Sequence, residues 1–153
     1  MKKITKRRLI QINDDLFSLI VRTRDNFVCQ KCLQDKGDKA KPNKYNDVHH
    51  IIGRGNKAVR WDIDNGVTLD YYHHKNWLVK ASREDIDKFY ESITDYDELK
   101  LRARKIIKFN LKFCIENFIR LYDIAVAENL ESWKIVPKYI VKELYEKINK
   151  NEE

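Results

Sequence analysis

The sequence predicts an α+β protein: a small β-hairpin closed by a helix, with one helix before it and a mainly helical extension after it. Three observations predict this. Two short runs rich in β-branched residues, Val48 to Ile52 and Val67 to Leu69, flank a loop with Gly53-Arg54-Gly55 and the turn Asp64-Asn65-Gly66. From Ser82 onward the apolar residues recur at helical spacing. All four histidines fall in or just after the hairpin, as His49-His50 and His73-His74.

The elements follow in order. The basic stretch from Lys2 to Arg8 reads as a tail over residues 1–12, solvated or laid along a polyanion. Asn13 reads as the N-cap of a helix from Asp14 to about Arg24, whose buried stripe is Leu16, Phe17, Leu19, Ile20 and Thr23. Phe27-Val28 leads into Cys29-Gln30-Lys31-Cys32, and residues 34–44, with Gly37 and Pro42, read as a loop. After the hairpin, His74 to about Lys80 reads as a helix start. Ser82 to Asp85 and Thr94 to Asp97 resemble capping boxes with Asp in place of Glu. The second opens a helical segment to about Glu128, with a bend or break near Asn110 or Asn117. Pro137 suits the first turn of a final helix through Ile148. The hairpin core is therefore expected over residues 13–104, and a helical extension, packed on the core or used for dimerisation, over 105–153.

Composition narrows the class. The 153 residues suit one domain with a real core. A net charge of +7 suits a polyanionic partner, because each neutralised phosphate releases counterions. No apolar run approaches the ~20 residues of a membrane span, and Met1-Lys2-Lys3-Ile4 lacks the apolar segment of a signal peptide. The chain thus reads as cytoplasmic, with reduced thiols. Three cysteines, two of them at C-x-x-C spacing, point away from a disulfide framework. Cys114, on the apolar face of a helix, reads as a core thiol.

The chemistry lies in the histidines. Imidazole titrates near neutrality and is the commonest metal ligand, so two pairs around an asparagine can supply one ion and one general base. Adjacent strand residues point to opposite faces, so His49 and His50 can share one site only at a kink or strand end.

These residues resemble the HNH (ββα-metal) endonucleases. The resemblance runs through Arg24 to Cys32, Val48-His49-His50-Ile51-Ile52, Asp64 to Leu69 and His73-His74-Lys75. It is closest to the phage NinG-type recombination-associated branch, on Arg54, Ala58 to Asp62, Tyr96 to Leu99 and Arg102-Ala103, and covers roughly residues 20 to 105. It implies a metal-dependent DNA endonuclease that leaves 5′-phosphate and 3′-hydroxyl ends, in a bacterial or phage-infected cell. His50 is then the general base, and His49 and His74 hold a divalent ion. Asn65, the other catalytic position, positions the His50 loop or joins the metal shell. The ion is Mg²⁺ or Mn²⁺ by its phosphoryl chemistry, or Ni²⁺ or Zn²⁺ by its histidine ligation. Arg54, Arg60 and Lys75 are the expected DNA contacts. The expected partner is double-stranded or branched DNA, with a homodimer through the C-terminal helices as a further option.

The chain departs from the family at one place. Where the usual second pair is Cys-x-x-Cys, Asp70 and His73 stand. A structural zinc on Cys29, Cys32, Asp70 and His73 is chemically acceptable; the alternatives are a knuckle held by packing alone, or His73 in the catalytic shell. A non-cleaving DNA-binding or recombination accessory protein is the competing function.

Overall fold

The computed structural model describes residues 4–149; residues 1–3 of the expected tail and residues 150–153 of the extension lie outside them. The protein is α+β, and the chain divides into two compact units. One takes the chain up to Ile20 and again from Lys108; the other runs Val21–Ile107.

The first unit is helical. Helix α1 (Lys6–Arg24) starts eight residues before the expected Asp14, and the division between units falls within it, after Ile20. Leu9, Ile12, Leu16, Phe17 and Ile20 are buried at helical spacing. Residues 6–12 are therefore helix rather than tail. Asn13 is no cap: it is wholly buried in mid-helix, and its amide donates to the Cys114 carbonyl at 2.9 Å. Burial of the stripe through Leu9 and Ile12 outweighs the preference of asparagine for helix ends.

The later helices of this unit keep closer to expectation. Asn110 caps the helix Leu111–Ala127, its side chain accepting the Phe113 N–H, so the break comes there. Asn117 stays inside that helix and donates to the Phe113 carbonyl. Pro137 precedes a last helix, Lys138–Asn149. Cys114, Phe118, Leu121, Ala125 and Leu144 are fully buried.

The second unit carries the histidines. After α1, Asn26 and Phe27 both take positive φ, 52° and 57°, and reverse the chain into Cys29. A phenylalanine there is strained, and hydrogen bonds to its carbonyl from the Asn43 N–H and the Asn46 amide hold the turn. Helix α2 (Gln30–Lys36) occupies the start of the expected loop and ends at Gly37, whose φ of 55° suits glycine.

Strand β1 (Asp47–His50) pairs antiparallel with β2 (Gly66–Leu69), Asp47 opposite Leu69 and His50 opposite Gly66. β1 ends two residues earlier than expected, because the Ile51 N–H turns to the Asn65 carbonyl and the Ile52 N–H to the Asn65 side chain. The free edge of β2 is covered by side chains. Arg24 donates to the carbonyls of Ile63 and Gly66, and its ion-pair partner Asp25 accepts the Thr68 N–H at 2.9 Å.

A π-helical turn, His73–Trp77, leads into α3 (Leu78–Lys80). Ser82 caps α4 (Arg83–Ile93) as expected, whereas α5 (Tyr96–Ala103) is capped by Asp95 rather than Thr94. Cys29, Ile51, Val59, Val67, Leu69, Phe89, Tyr90, Tyr96 and Leu99 form the core of this unit. No helix among the described residues is long and apolar enough to cross a membrane.

Candidate metal centre and histidine site

Two side-chain groups converge in the second unit. Cys29 and Cys32 flank the first turn of α2, where the Cys29 sulfur accepts the Cys32 N–H in the place of an N-cap. Asp70 and His73 lie just beyond β2, and the Asp70 carboxylate accepts the His73 N–H at 2.7 Å. The packing of α2 on β2 brings the pairs together. Cys29 Sγ lies 3.4 Å from His73 Nδ1, Cys32 Sγ 3.1 Å from Asp70 Oδ2, and His73 Nδ1 3.0 Å from Asp70 Oδ1. All four ligand atoms fall within 4.8 Å of one another, and the cluster can hold a metal ion.

Without an ion, burial and the cluster's own hydrogen bonds set its electrostatics. Burial, the Asp70 hydrogen bond and the Cys29 sulfur push the Cys32 thiol up to about 12. Burial works to raise Asp70, but the His73 N–H and the Cys32 thiol hold it below the ordinary carboxylate value. The thiol therefore keeps its proton and donates a hydrogen bond to the carboxylate. A divalent ion reverses that preference, since cysteine coordinates as thiolate. On the far side of the ring, His73 Nε2 lies 3.9 Å from Asp35. A carboxylate behind a ligating imidazole fixes its orientation.

The remaining histidines meet different partners. His49 and His74 approach with ring centroids 5.3 Å apart, edge to face. His49 Nε2 lies 3.0 Å from the hydroxyl of buried Tyr90 in α4, and His74 Nδ1 lies 3.3 Å from Asp47 Oδ2. His50, the last residue of β1, has a partner of its own: its Nε2 lies 2.9 Å from the Arg60 carbonyl. A carbonyl only accepts, so Nε2 carries the proton and Nδ1 is the basic nitrogen. Burial, with the neighbouring His74, His50 and Lys75, pushes His49 down to about 4. His49 is thus a neutral imidazole at pH 7, the form that ligates metal.

Asn65 is wholly buried. Its amide donates to the carbonyls of Ile52 and Val59, both at 2.9 Å, and its oxygen accepts the Ile52 N–H at 2.7 Å. Through these bonds Asn65 pins both ends of the loop after His50. Among the expected DNA contacts, Arg54 and Lys75 are exposed. Arg60 is half-buried, with its guanidinium 5.7 Å from the Trp61 ring centre and its carbonyl on His50.

Sequence reasoning missed Asp47 and Tyr90. Asp47 had a signal, standing two residues before His49 and so on the same strand face. Tyr90 had none, being 41 residues from its partner. No family model, curated protein or solved structure matches the chain.

Proposed function

We propose that this chain is a metal-dependent DNA endonuclease that hydrolyses phosphodiester bonds. The observation that carries the reading is the anchored His50. Its Nε2 proton is committed to the Arg60 carbonyl, and the loop that supplies this carbonyl is tied down by Asn65. A histidine held in this tautomer can take a proton from an attacking water at Nδ1. His49 and His74 would hold the divalent ion. Two imidazoles on one ion each have their centroid about 3.2 Å from it, so their 5.3 Å separation is compatible with a shared ligand role. When bound, the ion supplies Lewis-acid stabilisation to the phosphate and the leaving oxygen. Arg54, Arg60 and Lys75, with the net charge of +7, suit a polyanionic substrate.

The Cys29/Cys32/Asp70/His73 cluster suits a structural Zn²⁺. A tetrahedron of two thiolates, one imidazole and one carboxylate has ligand–ligand edges of about 3.4–3.8 Å. The cluster's closest contacts, 3.0 to 3.7 Å, already approach this frame.

The test is cleavage of supercoiled plasmid with EDTA, Mg²⁺ or Mn²⁺, beside a folded His50→Ala variant. The expected result is metal-dependent nicking that falls ~10²–10⁴-fold in the variant. DNA binding without cutting under any metal would favour the recombination-accessory reading instead.

A further inference from the structure

We propose that Asp47 is a positioning residue: its carboxylate accepts a hydrogen bond from the Nδ1–H of His74 and so presents Nε2 to an ion shared with His49. The inference rests on the nuclease reading of the His49/His74 pair and adds to it a residue outside that set. It starts from the hairpin register. Asp47 pairs with Leu69, the last residue of β2, and His74 follows one helical turn after Asp70, whose carbonyl accepts the His74 N–H at 2.9 Å. The helix start is thereby laid beside the first residue of β1.

Asp47 and His49 are two apart on β1 and share its face. That face offers His74 a carboxylate 3.3 Å from Nδ1 and an imidazole with its centroid 5.3 Å away. A carboxylate at pH 7 accepts and does not donate, so the proton belongs on Nδ1 and the lone pair on Nε2. An imidazole ligates a metal through the nitrogen that has no proton, and a carboxylate on the other nitrogen fixes which one that is. His73 in the neighbouring cluster shows the mirror arrangement, with Nδ1 toward the cysteines and Nε2 toward Asp35. Consecutive histidines thus present opposite nitrogens to two different groups, and a carboxylate stands behind each.

The test is the tautomer of His74, read by long-range ¹H–¹⁵N correlation on the full chain at neutral pH. Wild type is compared with Asp47→Ala, and with Asp47→Asn, which keeps an acceptor oxygen. Hairpin amide shifts confirm that each variant is folded. The expected result is a proton on Nδ1 in wild type and Asp47→Asn, moving to Nε2 in Asp47→Ala. Mn²⁺ titration of the Zn²⁺-loaded protein, followed by electron paramagnetic resonance, should then show affinity lowered ~10–100-fold in Asp47→Ala. A His74 tautomer indifferent to Asp47, or Mn²⁺ bound as tightly by Asp47→Ala as by wild type, would overturn the assignment and leave the nuclease reading intact. A wild-type protein whose Mn²⁺ binding ignores His49→Ala overturns both.

Discussion

The cysteine cluster and the histidine site stand a few residues apart in the chain, yet they are built on opposite plans. In the first, four side chains from two elements turn inward on one another, with every ligand atom within 4.8 Å of the rest. In the second, each histidine is tied outward: His49 to Tyr90, His74 to Asp47 and His50 to a main-chain carbonyl. A closed set of four ligands fits an ion that holds a fold together, whereas a chemical site must keep a coordination position for water or substrate. Residues 70–74 belong to both plans, since His73 serves the cluster and His74 the histidine pair. Any ion that fixes His73 therefore also sets where His74 begins.

The sharpest test of this contrast is to ask which group ties an ion to stability. Zn²⁺ at a thousandfold excess over its dissociation constant should raise the unfolding free energy by about 4 kcal/mol, because an ion that binds only the folded chain stabilises it by mass action. Urea unfolding with and without Zn²⁺ reads this directly. The increment should vanish in Cys29→Ser/Cys32→Ser and survive in His49→Ala/His74→Ala. The reverse pattern would exchange the roles of the two groups.

Next in size is Asn65→Ala. It removes three hydrogen bonds, one buried and two part-buried, and takes from the Ile52 N–H and the Ile52 carbonyl the partner that Asn65 supplies, while the Val59 carbonyl keeps the Asp62 N–H. Each orphaned buried group costs roughly 1–3 kcal/mol, so a loss of about 3 kcal/mol is expected in the same urea measurement. A variant as stable as wild type would remove Asn65 from the support of the His50 loop. Asn65→Asp should also be poorly tolerated, because a carboxylate cannot donate to the Ile52 and Val59 carbonyls.

How far these features were legible in the sequence depends on the distance over which each is determined. The hairpin, the Ser82 cap and the Asn110 break rest on local backbone preferences, and the structure places them within a few residues of expectation. The meeting of Cys29, Cys32, Asp70 and His73 was legible only through the resemblance, which puts Asp70 and His73 where a second cysteine pair would stand. The start of α1 at Lys6 differs from the expected Asp14, although the sequence carries its signal. Leu9 and Ile12 continue the stripe of Leu16 and Ile20, and this periodic signal outweighs the local capping preference of Asn13. The Tyr90–His49 contact could not be read, because it depends on where α4 docks in the core rather than on any spacing in the chain.

The smallest effect concerns the same Tyr90–His49 environment and isolates the histidine site from the cluster. Folded His49 titrates near 4, while an unfolded histidine titrates near 6.5. Between those values the unfolded chain binds more protons than the folded one, so stability falls as pH is lowered from 6.5 toward 4. Above pH 6.5 the two states bind equally and His49 contributes no slope. The full shift corresponds to at most about 3 kcal/mol, reached only near pH 4, and at pH 5.5 it is about 1 kcal/mol. Urea midpoints of metal-free wild type and His49→Gln, taken every half unit from pH 7 to 4, separate this histidine from the other acid-titrating groups. The two curves should run parallel above pH 6.5, with wild type losing stability faster below it. Curves that stay parallel throughout would mean that His49 is solvated and protonates freely, which would remove burial as the cause of its neutrality.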